Sequence, residues 1–212
     1  MIGVARRYAG FIVLLVVGAS VAGAQAGLYA PAAPENSAFV RVAAVHRPVQ
    51  ERLAVGPVSF APLSLGEVSP YRIVPVEGYV LGGRGGTFFT PEAGAFYTII
   101  PGDGREHRII SDTAHRDRAR AQLNLYNVTD SPVGLQALEP AGEIFSALSP
   151  GERVDRLLNA LSVVVQATYS GTGAGARQSI SMERGASYSV FVYYRAPGVV
   201  ESQVVTASVV TE

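Results

Sequence analysis

Asp112-Thr113-Ala114-His115 places an acid and a histidine at a spacing that hydrolases use. A DxxH pair of this kind ends the catalytic set of SGNH-type esterases and acyltransferases, where the histidine takes a proton from a serine and the aspartate orients the ring. That set also needs a serine in an early GDS-like block, and Gly102-Asp103-Gly104 lacks it. A nucleophile elbow GxSxG is missing too, since Gly185-Ala186-Ser187-Tyr188-Ser189 ends in serine. His46, His107 and His115 are the three histidines. His107, Asp112 and His115 could approach one another, but their spacing fits no standard zinc pattern. The stretches Gly82-Gly83-Arg84-Gly85-Gly86 and Gly171-Thr172-Gly173-Ala174-Gly175 lack the GK[ST] of a phosphate loop and read as hairpin loops. No catalytic set assembles, so the chain reads as non-enzymatic, with no metal and no cofactor. Asn127-Val128-Thr129 fits a glycosylation sequon.

What the chain repeats is scaffold. Residues 60–67 read FAPLSLGE and residues 145–152 read FSALSPGE, sharing FxxLSxGE; residues 92–99 and 183–190 share ExGAxY[ST][IV]. The offset grows by only six residues between the two matches, as an insertion in one surface loop would make it. Both motifs consist of apolar anchors, turn glycines and a glutamate, which predicts two copies of one module. Phe60, Leu63, Phe145 and Leu148 would point inward, and Gly66 and Gly151 would sit where a turn needs positive φ.

Short runs rich in Val, Ile, Phe and Tyr, broken by Gly and Pro, predict strands throughout. In the first copy they are 39–45, 53–60, 71–80, 87–89, 96–100 and 107–110. In the second they are 121–128, 135–137, 143–148, 158–169, 178–182, 187–194 and 199–211. The helical spacing of Val154, Leu157, Leu158 and Leu161 is overruled by Pro70 and Pro75 in the matching stretch of the first copy, so 152–160 is expected to be extended or irregular. The fold class is all-β: two tandem β-sandwich-like domains of similar topology, 27–110 and 120–212, joined by a short charged linker at 111–119. Arg116, Arg118 and Arg120 would form a hydrated face of that linker.

Arg6 and Arg7, the apolar run 8–21 and Ala24-Gln25-Ala26 have the layout of a secretory signal peptide spanning 1–26, with Gly27 the first mature residue. The expected compartment is the periplasm, with no membrane span in the mature chain. There is no cysteine, so an exported chain would be held by its core alone. Removing Arg6 and Arg7 leaves 15 arginines against 17 acidic residues, which gives no general attraction for nucleic acid. With no tryptophan, a flat stacking platform for sugars is lacking, although a Tyr and Arg site could still grip an acidic sugar.

The run Leu28-Tyr29-Ala30-Pro31-Ala32-Ala33-Pro34-Glu35-Asn36-Ser37-Ala38-Phe39-Val40-Arg41-Val42 resembles the mature start of the AlgF family, LYxPxAPxxSAFVRV. Leu123 to Asp130, LNLYNVTD, is similar to that family's second domain. The resemblance implies a non-enzymatic periplasmic adaptor in O-acetylation of an exported polysaccharide such as alginate. Its implied partners are a membrane-bound O-acyltransferase and SGNH-like acetyltransferase proteins, together with the polysaccharide itself. Within that reading the proline-spaced segment 28–37 is an extended docking element, with Leu28, Tyr29, Pro31, Pro34 and Arg41 the partner-binding residues. The alternative is a free-standing polysaccharide-binding or cell-surface tandem β-sandwich.

Overall fold

Glycines and prolines cut this chain into segments too short for helices but long enough for strands. In the computed structural model, which describes residues 33–103 and 105–210, every described regular element is a strand. The first copy supplies β1 (Ser37–Val42), β2 (Leu53–Val55), β3 (Val58–Phe60), β4 (Tyr71–Pro75), β5 (Tyr79–Leu81), β6 (Thr87–Phe89), β7 (Phe96–Pro101) and β8 (His107–Asp112). The second supplies β9 (Ala121–Asn127), β10 (Val133–Glu139), β11 (Ala141–Leu148), β12 (Arg153–Leu158), β13 (Ser162–Tyr169), β14 (Thr172–Ser181), β15 (Ser187–Ala196) and β16 (Val199–Thr206), and β17 (Val209–Val210) follows.

The two copies repeat one topology. One sheet runs β4-β1-β7-β8 and the other β12-β9-β15-β16, each with a central parallel pair flanked by antiparallel neighbours. Arg41 stands opposite Thr98 in the first register and Asn124 opposite Ser189 in the second, so Arg41 and Asn124 occupy matching positions. Behind the second sheet lies a four-stranded sheet β11-β10-β13-β14; behind the first lie two separate hairpins, β2–β3 and β5–β6, whose strands are only three residues long. β17 leaves the second copy and pairs in parallel with β4, Val209 opposite Tyr71.

Both shared motifs fold the same way twice. The Ser64 amide donates to the Glu67 carboxylate at 2.6 Å, and the Ser149 amide to Glu152 at 3.2 Å. Gly66 and Gly151 both have positive φ. The Glu92 amide donates to the Tyr97 hydroxyl at 3.1 Å, and the Glu183 amide to Tyr188 at 3.0 Å. The glutamate of LSxGE therefore closes a turn in each copy.

Several boundaries differ from expectation for local reasons. The run 53–60 folds back on itself at Gly56, whose φ is +57°, and 71–80 breaks between Pro75 and Tyr79. The run 158–169 divides after Leu158, and Gly173 and Gly175 lie inside β14 rather than in a loop. β8 continues through Ser111 and Asp112, two residues into the segment expected as linker.

Each copy fills its own interior, around Val40, Phe60, Leu81, Phe89 and Ile99 in the first and Leu123, Leu135, Phe145, Val165 and Val190 in the second. A third cluster joins them: Ala43, Val45 and Ile100 meet Tyr126, Phe191 and Tyr193. By the strand registers Ala43 matches Tyr126 and Ile100 matches Phe191, so corresponding patches of the two copies face each other, as in a two-fold dimer.

Two stability predictions follow from this packing. Phe60→Ala and Phe145→Ala should each cost about 3–5 kcal/mol in urea denaturation, because both rings are buried and their removal leaves a cavity. Gly66 has φ +92° and a Cβ there would lie 2.5 Å from the Tyr193 hydroxyl, whereas at Gly94, φ +72°, a Cβ meets nothing within 4 Å. Gly94→Ala should therefore cost about 1–2 kcal/mol from backbone strain alone, and Gly66→Ala about 1–3 kcal/mol more from overpacking. Tyr193→Phe in the same chain should recover most of that excess.

Candidate functional site: a buried polar junction and an exposed lead segment

Alternation along β1 sends Ala38, Val40 and Val42 into the first interior and Arg41 to the opposite face of the sheet, which the second copy covers. Arg41 is 1% exposed. Its Nε donates to Thr98 Oγ1 at 2.8 Å, and one terminal nitrogen donates to the Tyr126 hydroxyl and to Ser189 Oγ, both at 2.9 Å. The guanidinium carbon stands 4.6 Å from the Tyr71 ring centroid and 5.3 Å from that of Phe191, within cation–π range.

The counter-charge is Asp112, reached through hydroxyl bridges. Thr98 accepts from Arg41 and donates to Asp112 Oδ2 at 2.6 Å; Tyr126 accepts from Arg41 and donates to Asp112 Oδ1 at 2.6 Å. Tyr71 adds a third donor at 2.7 Å. Arg153 lies 3.7 Å from Asp112, donates to Asn124 at 2.8 Å and pairs with Asp155 at 2.7 Å. Burial works against ionisation of Asp155, but the Thr113 hydrogen bond and the Arg153 charge outweigh it and hold this carboxyl below its usual range. Burial would likewise lower Arg41, yet Tyr126, Tyr71 and Asp112 outweigh it and hold the guanidinium above its ordinary value.

These groups enclose Asp112, whose side chain is 3% exposed, although Arg153 Nε, 3.7 Å from it, makes no hydrogen bond. Three hydroxyls occupy its carboxylate, while His115 Nε2 lies 3.1 Å from the Arg120 carbonyl oxygen. Asp112 and His115 thus form no catalytic dyad here. His46 faces Asp103 at 3.7 Å, and among the described residues no group of three His, Cys, Asp or Glu could hold a metal ion. His107 is held below its usual pKa by burial and by Arg47. Arg120 pairs with Asp117 at 2.7 Å. Asn127, the sequon asparagine, is fully buried and donates to the Ser131 and Leu148 carbonyls, so it is closed to modification in the folded chain.

Of the expected partner-binding residues, Leu28, Tyr29 and Pro31 lie outside the described residues. Pro34 is exposed; its carbonyl accepts from the Ser37 hydroxyl at 2.5 Å, and it lines a cleft of about 410 Å³ with Ser37, Val58, Ile73, Pro75 and Val210. Arg41 has a different place from the one expected: with its side chain enclosed it presents nothing to a partner, because β1 turns it toward the second copy. Asp112 was missed as a structural residue, since its flanking charges read as a solvated linker. The sequence offered no signal for it, because an arginine between two valines in Phe39-Val40-Arg41-Val42 is the ordinary alternation of a strand with one face in the core.

Comparison with known proteins gives a consistent picture. Residues 12–189 match the family model described as "Alginate O-acetyl transferase AlgF". Proteins named alginate biosynthesis protein AlgF are similar to this chain. That of Pseudomonas putida is 22% identical over 174 residues, spanning 81% of this chain and 80% of that protein. That of Azotobacter vinelandii is 28% identical over 142 residues, spanning 65% and 64%. That of Pseudomonas fluorescens is 24% identical over 182 residues, spanning 84% and 82%. A solved structure of the C-terminal domain of AlgF from P. aeruginosa aligns with 42% of this chain and 98% of its own, at 16% identity and a TM-score of 0.38.

The junction predicts an alkaline weakness. Desolvation, reinforced by Asp112 and opposed by Arg41, pushes the Tyr126 phenol from 10 up to about 12. A raised folded pKa means that this group's contribution is complete below pH about 10, the unfolded value, and is lost as the pH rises toward 12. Urea midpoints measured from pH 9 to 12 should fall across that window, and Tyr126→Phe should flatten the fall. At pH 7 the same variant should cost about 1–3 kcal/mol, because Arg41 and Asp112 each lose a buried partner.

Proposed function

Because the chain belongs to the AlgF family, we propose that it serves O-acetylation of an exported polysaccharide, alginate or a polymer like it, as an adaptor that leaves the chemistry to other proteins. The observation that carries this reading is the state of the DxxH pair: the aspartate is consumed by a buried structural network and the histidine faces a backbone carbonyl. In this proposal the two copies, 27–110 and 120–212 with 111–119 between them, act as modules after a signal peptide at 1–26 has taken the chain to the periplasm. No helix among the described residues is long and apolar enough to cross a membrane. The partners are a membrane-bound O-acyltransferase, which brings the acetyl group across, and SGNH-like proteins, which transfer it to the polymer.

The proline-spaced stretch from Leu28 to Ser37 is the docking element in this reading. A chain already stiffened by Pro31 and Pro34 loses less entropy on binding. The exposed Pro34 and the cleft beside it lie where that stretch joins the fold.

A strain lacking the chain should make polymer without acetyl esters, read as loss of the acetyl signal in proton NMR of the purified polysaccharide. His115→Ala should restore acetylation to wild-type level, and the tagged chain should co-purify with the membrane acyltransferase. A folded His115→Ala variant that restores nothing would overturn the adaptor reading in favour of an enzyme.

A further inference from the structure

Where the second copy meets the first, β13, β14 and the β15–β16 hairpin enclose an open cleft of about 970 Å³. Asp130, Tyr169 and Tyr194 form one wall, Leu65 of the first copy closes another, and Val199 stands half exposed at the rim. Asp130 Oδ1 accepts from the Tyr194 hydroxyl and from Ser131 Oγ at 3.2 Å. The Tyr169 hydroxyl has one proton to share between the Tyr194 oxygen at 2.8 Å and Asp130 Oδ1 at 3.2 Å, and the two rings meet edge to face with centroids 6.2 Å apart. Among the described residues each side-chain donor to this carboxylate goes to Oδ1, which leaves Oδ2 without a side-chain donor on an exposed residue. The Tyr194 bond, aided by Ser131 and Tyr169, holds Asp130 below the usual carboxylate range, so it is ionised at neutral pH.

A carboxylate held by phenol hydroxyls in a cleft that two tyrosines line suits a cation. Oδ2 can accept a charge-assisted hydrogen bond, the ring faces attract positive charge, and an apolar rim suits the methylene stem of a long basic side chain. The basic residues lining the cleft do not fill that role, because each faces its own acid: Arg195 lies 3.4 Å from Glu201 and His46 lies 3.7 Å from Asp103. An acidic sugar is disfavoured beside the two tyrosines, since it would meet Asp130.

We propose that this cleft is a docking site for an arginine side chain carried on an exposed segment of a partner protein. The site deepens the adaptor reading and rests on it for the class of occupant. Its ligand chemistry stands independently of which acetylation protein supplies the arginine.

The test is a titration of the chain, exported through its own leader and labelled with nitrogen-15, with N-acetyl-Gly-Arg-Gly-amide. The controls are the same peptide carrying citrulline and a tetrameric oligouronate. The arginine peptide should give saturable amide shifts at Asp130, Tyr169 and Tyr194 with millimolar affinity. The citrulline peptide, equal in shape but uncharged, should bind about tenfold more weakly, and Asp130→Asn, which keeps the side-chain shape, should weaken the arginine peptide by about as much. Equal binding of both peptides, unchanged binding by Asp130→Asn, or shifts at these residues from the oligouronate alone would overturn the proposal. No acetylation partner is present in the titration, so failure here is distinct from failure of co-purification, which bears on the adaptor reading itself.

Discussion

Burying one guanidinium between two sheet faces is the constraint around which the described residues are arranged. An arginine taken out of water without full compensation costs several kcal/mol. Arg41 can occupy its place only if Thr98, Tyr126, Ser189 and Asp112 converge on it from β7, β9, β15 and β8. Two of those strands belong to each copy. The same contacts that satisfy the charge therefore fix how one copy sits against the other, and a shifted interface would strand either the cation or the acid. Apolar packing of Ala43, Val45 and Ile100 against Tyr126, Phe191 and Tyr193 adds stabilisation but far less orientation.

The two sheets present matching faces that carry unlike side chains. Position for position, Arg41 corresponds to Asn124 and Thr98 to Ser189, so a cation stands on one side of the junction where a neutral amide stands on the other. Two arginines at those positions would place like charges in one buried layer. With the asparagine, Arg153 finds an acceptor in Asn124 and an acid in Asp155, and the polar layer extends across the interface.

The all-strand character, the repeat and its turn residues were legible in the sequence because they depend on local rules: positive φ at Gly66 and Gly151, branched and aromatic runs, prolines that forbid helix. The family was legible from the run between Leu28 and Val42. What did not show was long-range. Asp112 reads as one charge among several in a polar stretch, and only the pairing of β8 with β7 carries it under Tyr126. Arg41 reads as a partner-binding residue for the same reason, since its burial depends on contacts with the second copy. The Tyr169, Tyr194 and Asp130 wall joins residues up to 64 positions apart, and no spacing rule links a loop aspartate to tyrosines on two distant strands.

β17 gives the chain an unusual closure. By crossing from the second copy to the edge of β4, it brings Val210 to the rim of the same cleft that Pro34 lines. Anything tethered upstream of Pro34 or downstream of Val210 is thus anchored to the first copy. A pull on either tether loads that sheet first and reaches the second copy through the buried junction.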